Sequence, residues 1–176
     1  MIILVFALIM AQQSTAEATV DWDKEFGVTA KTVDPKTGEV PVDPYTQNDH
    51  NAGAKPFTGP RIALAFGGQI GIRRIAGRMV DIARIDPRIS AIFISQDMVR
   101  LKRTLYEQFC YLLNAGCSYS GRDMAAGHKG LGIRKGDLNV LVENLQQAMH
   151  ENRVPFAAQN RLLSKLAPMS GAIISR

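Results

Sequence analysis

"SQDMVRLKRTLYEQFCYLLNAGCSYSGRDMAAGHKGLGI", residues 95–133, begins as a helix and ends on a lone histidine among small residues. Asp97 is a helix-capping residue, and Met98, Leu101, Leu105, Phe109 and Leu112 follow at heptad-like spacing, one apolar stripe of an α-helix. Asn114-Ala115-Gly116 stops it, because Asn and Gly accept the left-handed backbone of a helix exit. A Gly-Arg-Asp-Met turn then leads to His128, one of only three histidines in the chain.

Further helices flank this stretch. After Gly67-Gly68, the residues Ile72, Ile75, Ala76, Met79 and Ala83 fall on one face of a helix over 70–85, and Arg73, Arg74, Arg78, Asp81 and Arg84 on the other. Asp86-Pro87 ends or restarts it, with a short turn through Ile92-Phe93. Downstream, a helix starting near Asp137 buries Leu138, Leu141, Val142, Leu145 and Met149. Pro155 opens a last helix with Leu162, Leu163 and Leu166, which ends before Pro168. No stretch alternates at period two for long, and no repeat is present. The expected fold is all-α, with about four main helices over residues 61–176.

Residues 19–60 form a different block, poor in Leu, Ile and Phe and rich in Asp, Pro, Lys and Thr. They read as an extended Pro-rich leader with turns, docking through Trp22, Phe26 or Tyr45. Before them, an apolar run from Ile2 to Ala11 is too short to span a bilayer, which takes about 20 residues. Followed by Ala16-Glu17-Ala18, an A-x-A cleavage pattern, it reads as a signal peptide over 1–18 without the usual basic start, or as a retained anchor. The expected location is periplasmic or extracellular, with membrane association if residues 2–11 are retained.

Charge is unevenly distributed: residues 19–60 carry a net −3 and residues 61–176 a net +9, within a chain total of +5. The basic residues follow helix periodicity and lack interleaved aromatics, which marks a solvated face and not a nucleic-acid surface. "FGGQIG" at 66–71 lacks a preceding strand and a P-loop lysine, so it is no phosphate cradle. His150 lies opposite an apolar stripe, and His50 sits in the leader without evident partners.

Cys110 and Cys117 are the only cysteines. On an unbroken helix their Cα atoms would lie about 10 Å apart, beyond the roughly 7 Å disulfide limit. A bridge therefore requires the chain to turn back after Leu113. An exported chain favours that bridge over two buried thiols. His128 then has several possible roles. A Cys/His nucleophilic pair needs a free thiol, and zinc needs further ligands that are not at hand. A haem iron needs one imidazole, an apolar slot and cations for its carboxylates. A locally satisfied polar side chain is the plainest role of all.

The order of these signals resembles that of group I truncated haemoglobins across about residues 61–170, including a secreted branch with a C-x6-C pair. The matching landmarks are Gly67-Gly68, Asp86-Pro87-Arg88-Ile89, Phe93, Asp97-Met98 with Arg100-Leu101-Lys102, Tyr119-Ser120-Gly121, Met124 and His128 with Gly-Leu-Gly-Ile after it. The resemblance implies a two-over-two helical sandwich around haem b, with His128 as the proximal iron ligand and Phe93 against the haem face. It places Met79, Val80, Leu101 and Leu105 on the distal side, with Met98 and Met124 also at the cofactor. Lys102, Arg103 or Arg100 would approach the propionates. It also implies reversible binding of a diatomic gas (O2, NO or CO) and an electron donor to the iron. Two other functions stand beside it: haem redox chemistry such as NO dioxygenation or peroxidation, and a docking subunit that engages a protein partner through the 19–60 leader. One departure bears on all three. The family usually has tyrosine where Val80 stands and often glutamine at Leu101 or Leu105, so this chain offers bound O2 no hydrogen bond from those positions.

Overall fold

The computed structural model describes residues 21, 25–27 and 32–175. The predicted signal segment and Trp22 lie outside them. The chain divides into two compact units, residues 1–31 and 32–176. In the first, the Glu25 amide donates to the Asp21 carbonyl at 3.0 Å. In the second, the described residues form only helices, turns and loops. No helix among the described residues is long and apolar enough to cross a membrane.

Among the described residues, seven α-helices follow in order: α1 (Arg61–Ala65), α2 (Gly68–Ile85), α3 (Met98–Leu112), α4 (Met124–His128), α5 (Lys135–Glu151), α6 (Phe156–Leu166) and α7 (Ser170–Ile173). Short 3-10 turns lie at Asp49–Ala52, Ser90–Phe93 and Ala167–Met169. Helix α2 is the hub, packing on both α3 and α5, while α6 closes against α3 and α5. The sequence-predicted stripe of α2 is its buried face: Ile72, Ile75, Ala76, Met79 and Ala83 are all inaccessible. Ile72, Ile75, Ala76 and Met79 meet Phe109 and Leu113 at the end of α3, Leu145 and Met149 of α5 and Leu162 of α6 in one core cluster. Each such side chain contributes about 1.5–3 kcal/mol through burial. The start of α2 depends on Gly71, because a Cβ there would lie 1.9 Å from the Phe66 carbonyl oxygen.

The α3 and α5 stripes divide into two parts. Phe109 and Leu112, like Leu145 and Met149, are fully buried, whereas Leu101, Leu105, Leu138 and Leu141 are only half-buried. The half-buried set lines a cavity, with Leu105 and Leu141 also packing on the edge of the core.

The leader from residue 32 onward belongs to the same compact unit as the helices. An Asx turn at Asp34 (Lys36 amide to Asp34 Oδ1, 2.7 Å) reverses the chain and delivers Glu39 into the domain, where it is 7% exposed. Its carboxylate pairs with the Arg103 guanidinium, accepting from Nη2 at 3.0 Å, and with Arg100 at 3.3 Å. The Val40 amide donates to Asp97 at 2.7 Å. Further along, the Tyr45 hydroxyl donates to the Ser120 carbonyl at 2.8 Å, and Asp49 accepts the Tyr119 amide at 2.6 Å. The Asn51 amide reaches the Gly121 carbonyl at 3.1 Å. Of the three expected docking aromatics, Tyr45 makes this contact, and the Arg122 guanidinium lies over its ring at 5.0 Å. Residues 32–60 therefore form a strap that ties α3 to the loop ahead of α4.

Candidate functional site

Helix α4 is five residues long and contains no fully buried side chain. So short a helix has little cooperative stability of its own, and its position is set by its ends and by packing on α7. Asp123 caps it, accepting the Ala126 amide at 2.8 Å. Ahead of the cap, Tyr119 folds over Gly121 and donates to the Arg122 carbonyl at 3.0 Å. A Cβ on Gly121 would lie 2.2 Å from that hydroxyl, so the fold-over requires glycine. Burial pushes the Tyr119 phenol up to about 12.

The loop is pinned from two further directions. Arg103 of α3 donates to Glu107 at 2.9 Å and also bonds the Ser120 hydroxyl. Glu107 in turn accepts the Ser120 amide at 3.0 Å. The hydrogen bonds to Glu39 and Glu107 hold the Arg103 guanidinium well above its ordinary pKa. In addition, Cys110 and Cys117 are brought together at bridging distance, with Cα atoms 5.6 Å apart. The turn-back that this demands is present: Asn114 and Gly116 both adopt positive φ, at 55° and 84°.

His128 ends α4. Its Nδ1 lies 2.6 Å from the Met124 carbonyl oxygen. A carbonyl only accepts, so Nδ1 carries the proton and Nε2 is left with a free lone pair. The same side chain forms part of the wall of an open-mouthed cavity, whose empty space of about 810 Å³ includes solvent at the mouth. Helix α2 contributes Met79, Val80 and Ala83, α3 contributes Leu101 and Leu105, and the turn between them contributes Ile89, Ile92 and Phe93. Leu131, Ile133, Leu138, Leu141 and Ile173 complete the apolar lining.

Six of the residues singled out from sequence therefore share one cavity: His128, Phe93, Met79, Val80, Leu101 and Leu105. Three stand outside the lining. Lys102 turns away to pair with Asp81 at 2.6 Å. Met98 heads α3 at the surface end of its stripe, half-buried. Met124 directs its sulfur at the Gln108 amide, 3.4 Å away. Arg100 and Arg103, expected near a cofactor's carboxylates, are engaged by Glu39. Two polar lining residues, Gln96 and Asp137, were not anticipated. Asp137 is committed to the start of α5, accepting the Arg134 amide at 2.8 Å. Half-burial of Leu138 and Leu141 carried no separate signal, since a cavity face and a core face have the same periodicity.

The site has two of the requirements of a single-imidazole haem pocket, an apolar slot and a histidine with an oriented ring, and the carboxylate in its lining, Asp137, is taken up by the Arg134 amide. Among the described residues no three His, Cys, Asp or Glu side chains converge on a metal position. A family model described as bacterial-like globin matches residues 64–175. No curated protein matches the chain. Solved structures do: the truncated haemoglobin of Tetrahymena pyriformis in its Fe(III) form is 20% identical, with a TM-score of 0.62, covering 65% of this chain and 98% of that one. The 2/2 haemoglobin of Synechococcus sp. PCC 7002, in the cyanomet state with covalently attached haem, is 17% identical with a TM-score of 0.60 and the same coverages. The helical arrangement is thus that of the truncated, two-over-two haemoglobins.

Proposed function

We propose that this chain, which belongs to the bacterial-like globin family, holds haem b in the His128 cavity and reversibly binds a diatomic gas there. The observation that carries the reading is the Nδ1 contact to the Met124 carbonyl, which reserves Nε2 of a cavity-wall imidazole for a metal. Bound haem supplies an iron with one protein ligand and one position open to a small molecule. The protein's own part is to orient the imidazole, to exclude water with Met79, Val80, Leu101 and Leu105, and to buttress the macrocycle with Phe93. Val80, Leu101 and Leu105 provide no hydrogen-bond donor. A charge-assisted hydrogen bond is worth about 1.5–3 kcal/mol, so O2 is expected to be held about ten- to a hundredfold more weakly than with a donor at one of these positions, and CO to be less affected. The same apolar lining argues against peroxidase-type chemistry, which calls on a polar group beside the iron. An electron donor is required to keep the iron ferrous. Group I membership and export are part of the proposal, supported by the landmark order and by the Ile2–Ala11 run with Ala16-Glu17-Ala18.

Absorption spectra of protein purified from haem-supplemented cells test the reading. A Soret band that shifts on dithionite and CO addition is expected, and its absence sinks the proposal. His128→Ala should lose that band or change its form, while an unchanged spectrum would reject the ligand assignment. Leu105→Gln should slow O2 release by about ten- to a hundredfold. N-terminal sequencing of the mature protein tests export: a start near Thr19 supports it, and an intact Met1 supports a retained anchor.

A further inference from the structure

Leu101, Leu105 and Gln108 follow one another at i, i+4 and i+7 on α3, so they share one helix face. The first two line the cavity. The third is a glutamine, only 6% exposed, at a place where another leucine would continue the stripe. A buried amide persists only where its polar atoms find partners, and those of Gln108 are specific. Its Nε2 donates to the Ala52 carbonyl at 3.0 Å and approaches Met124 Sδ at 3.4 Å and Met169 Sδ at 3.6 Å. Met124 is the first residue of α4, and its carbonyl is the acceptor that fixes His128 Nδ1. A continuous chain of contacts therefore runs from the leucine-bearing face of α3, through one amide and one methionine, to the imidazole.

We propose that Gln108 is a positioning residue for the imidazole. It holds Met124 against α3 so that the Met124 carbonyl, and with it the His128 ring, keeps a fixed orientation toward the cavity. The proposal rests on the haem reading above. Helix α4 has no buried side chain of its own to do this, and its cap at Asp123 fixes the backbone start but not how closely Met124 lies to α3. Through Gln108, the helix that supplies the apolar ligand pocket also sets the geometry of the opposing iron ligand.

The test uses ferrous, ligand-free holoprotein and the resonance Raman band of the iron–histidine stretch, together with the rate of haem transfer to an apo acceptor. Gln108→Leu removes the donor, and Met124→Leu removes the sulfur acceptor while leaving the carbonyl in place. Both should displace or broaden the band in the same sense and release haem about 10-fold faster, as loss of a metal ligand's supporting partner does. The double variant should do no more than either single one. Met169→Leu removes the other sulfur contact of Gln108 while leaving the Gln108–Met124 contact in place, and should leave the band where it is. A folded Gln108→Leu or Met124→Leu protein with a wild-type band overturns the proposal. So does a Met169→Leu protein displaced as far as they are, since that would mean general loosening. If Gln108→Leu does not fold, Met124→Leu decides. Failure of the haem reading is seen separately, in His128→Ala or in a missing Soret band.

Discussion

Helices α3 and α4 both contribute to the cavity but are held in place by different forces. Helix α3 brings Leu101 and Leu105 on 15 residues, among which Tyr106, Gln108, Phe109, Cys110 and Leu112 are buried. Helix α4 brings His128 on 5 residues, none of them buried. The first is positioned by the hydrophobic effect acting over its length. The second is positioned from outside by packing on α7, a cap, a carbonyl contact, the Cys110–Cys117 pair and a strap of side chains reaching from residues 39–51. Apolar packing is non-directional and tolerant, while hydrogen bonds and ion pairs fix a direction. A wall that only has to exclude water can depend on packing. An imidazole that must point one nitrogen at one atom needs directional contacts.

The comparison is tested most severely at Arg103, where both systems meet. Arg103→Met leaves the 7%-exposed Glu39 without its main partner and removes the tie to Ser120. Denaturant unfolding should show a loss of about 3 kcal/mol, with helical circular dichroism intact below the transition and protection from amide exchange lost first around residues 117–128. If protection is lost evenly across α2 and α3 instead, the division of labour between the two helices is wrong. Reducing the Cys110–Cys117 bridge opens a small loop and should lower stability by about 2.5 kcal/mol. The strap should still hold Tyr119 and Ser120, so haem retention should fall far less than stability does. Asp123→Ala removes a helix cap at a cost of about 1 kcal/mol. Helix α4 can fray on its own, so thermal unfolding should barely shift while the iron–histidine band broadens.

The smallest effect concerns pH. Burial raises the folded-state pKa of Tyr119 to about 12, above its ordinary 10. The folded state therefore holds the proton more tightly, and this contribution is complete below pH 10 and lost as pH rises from 10 toward 12. Phenolate absorbance of Tyr119, isolated by comparison with Tyr119→Phe, should appear only near pH 12. Titration near 10 in folded protein would mean the loop is open.

The two supports of the cavity also differ in how readily the sequence reveals them. The buried stripes of α2, α3 and α5 were plain because burial imposes a period, and Ile72, Phe109, Leu145 and Leu162 lie in the core where the period puts them. The turn-back at Asn114 and Gly116 was readable from residue chemistry, whereas His128 was singled out for the cavity by the resemblance. Of the strap only Tyr45 was, as a docking aromatic; its other anchors have no period, for Glu39 finds Arg103 across 64 residues, and Asp49 finds Tyr119 across 70. For the same reason Arg100 and Arg103 read as free cations when they are internal ones. Gln108 was hidden by its place in an otherwise apolar stripe, and Gln96 by lying between two helices.

The strap also has a practical side. The family match begins at residue 64, and the helical pattern invites a boundary near residue 61. A gene trimmed there would encode every helix and the whole cavity lining, yet it would discard Glu39, Tyr45 and Asp49. Arg103 would keep only Glu107 and Ser120, and the loop ahead of His128 would lose three of its anchors. Such a shortened protein should fold as a globin, and under the proposed function it should hold haem more weakly than the untrimmed chain does.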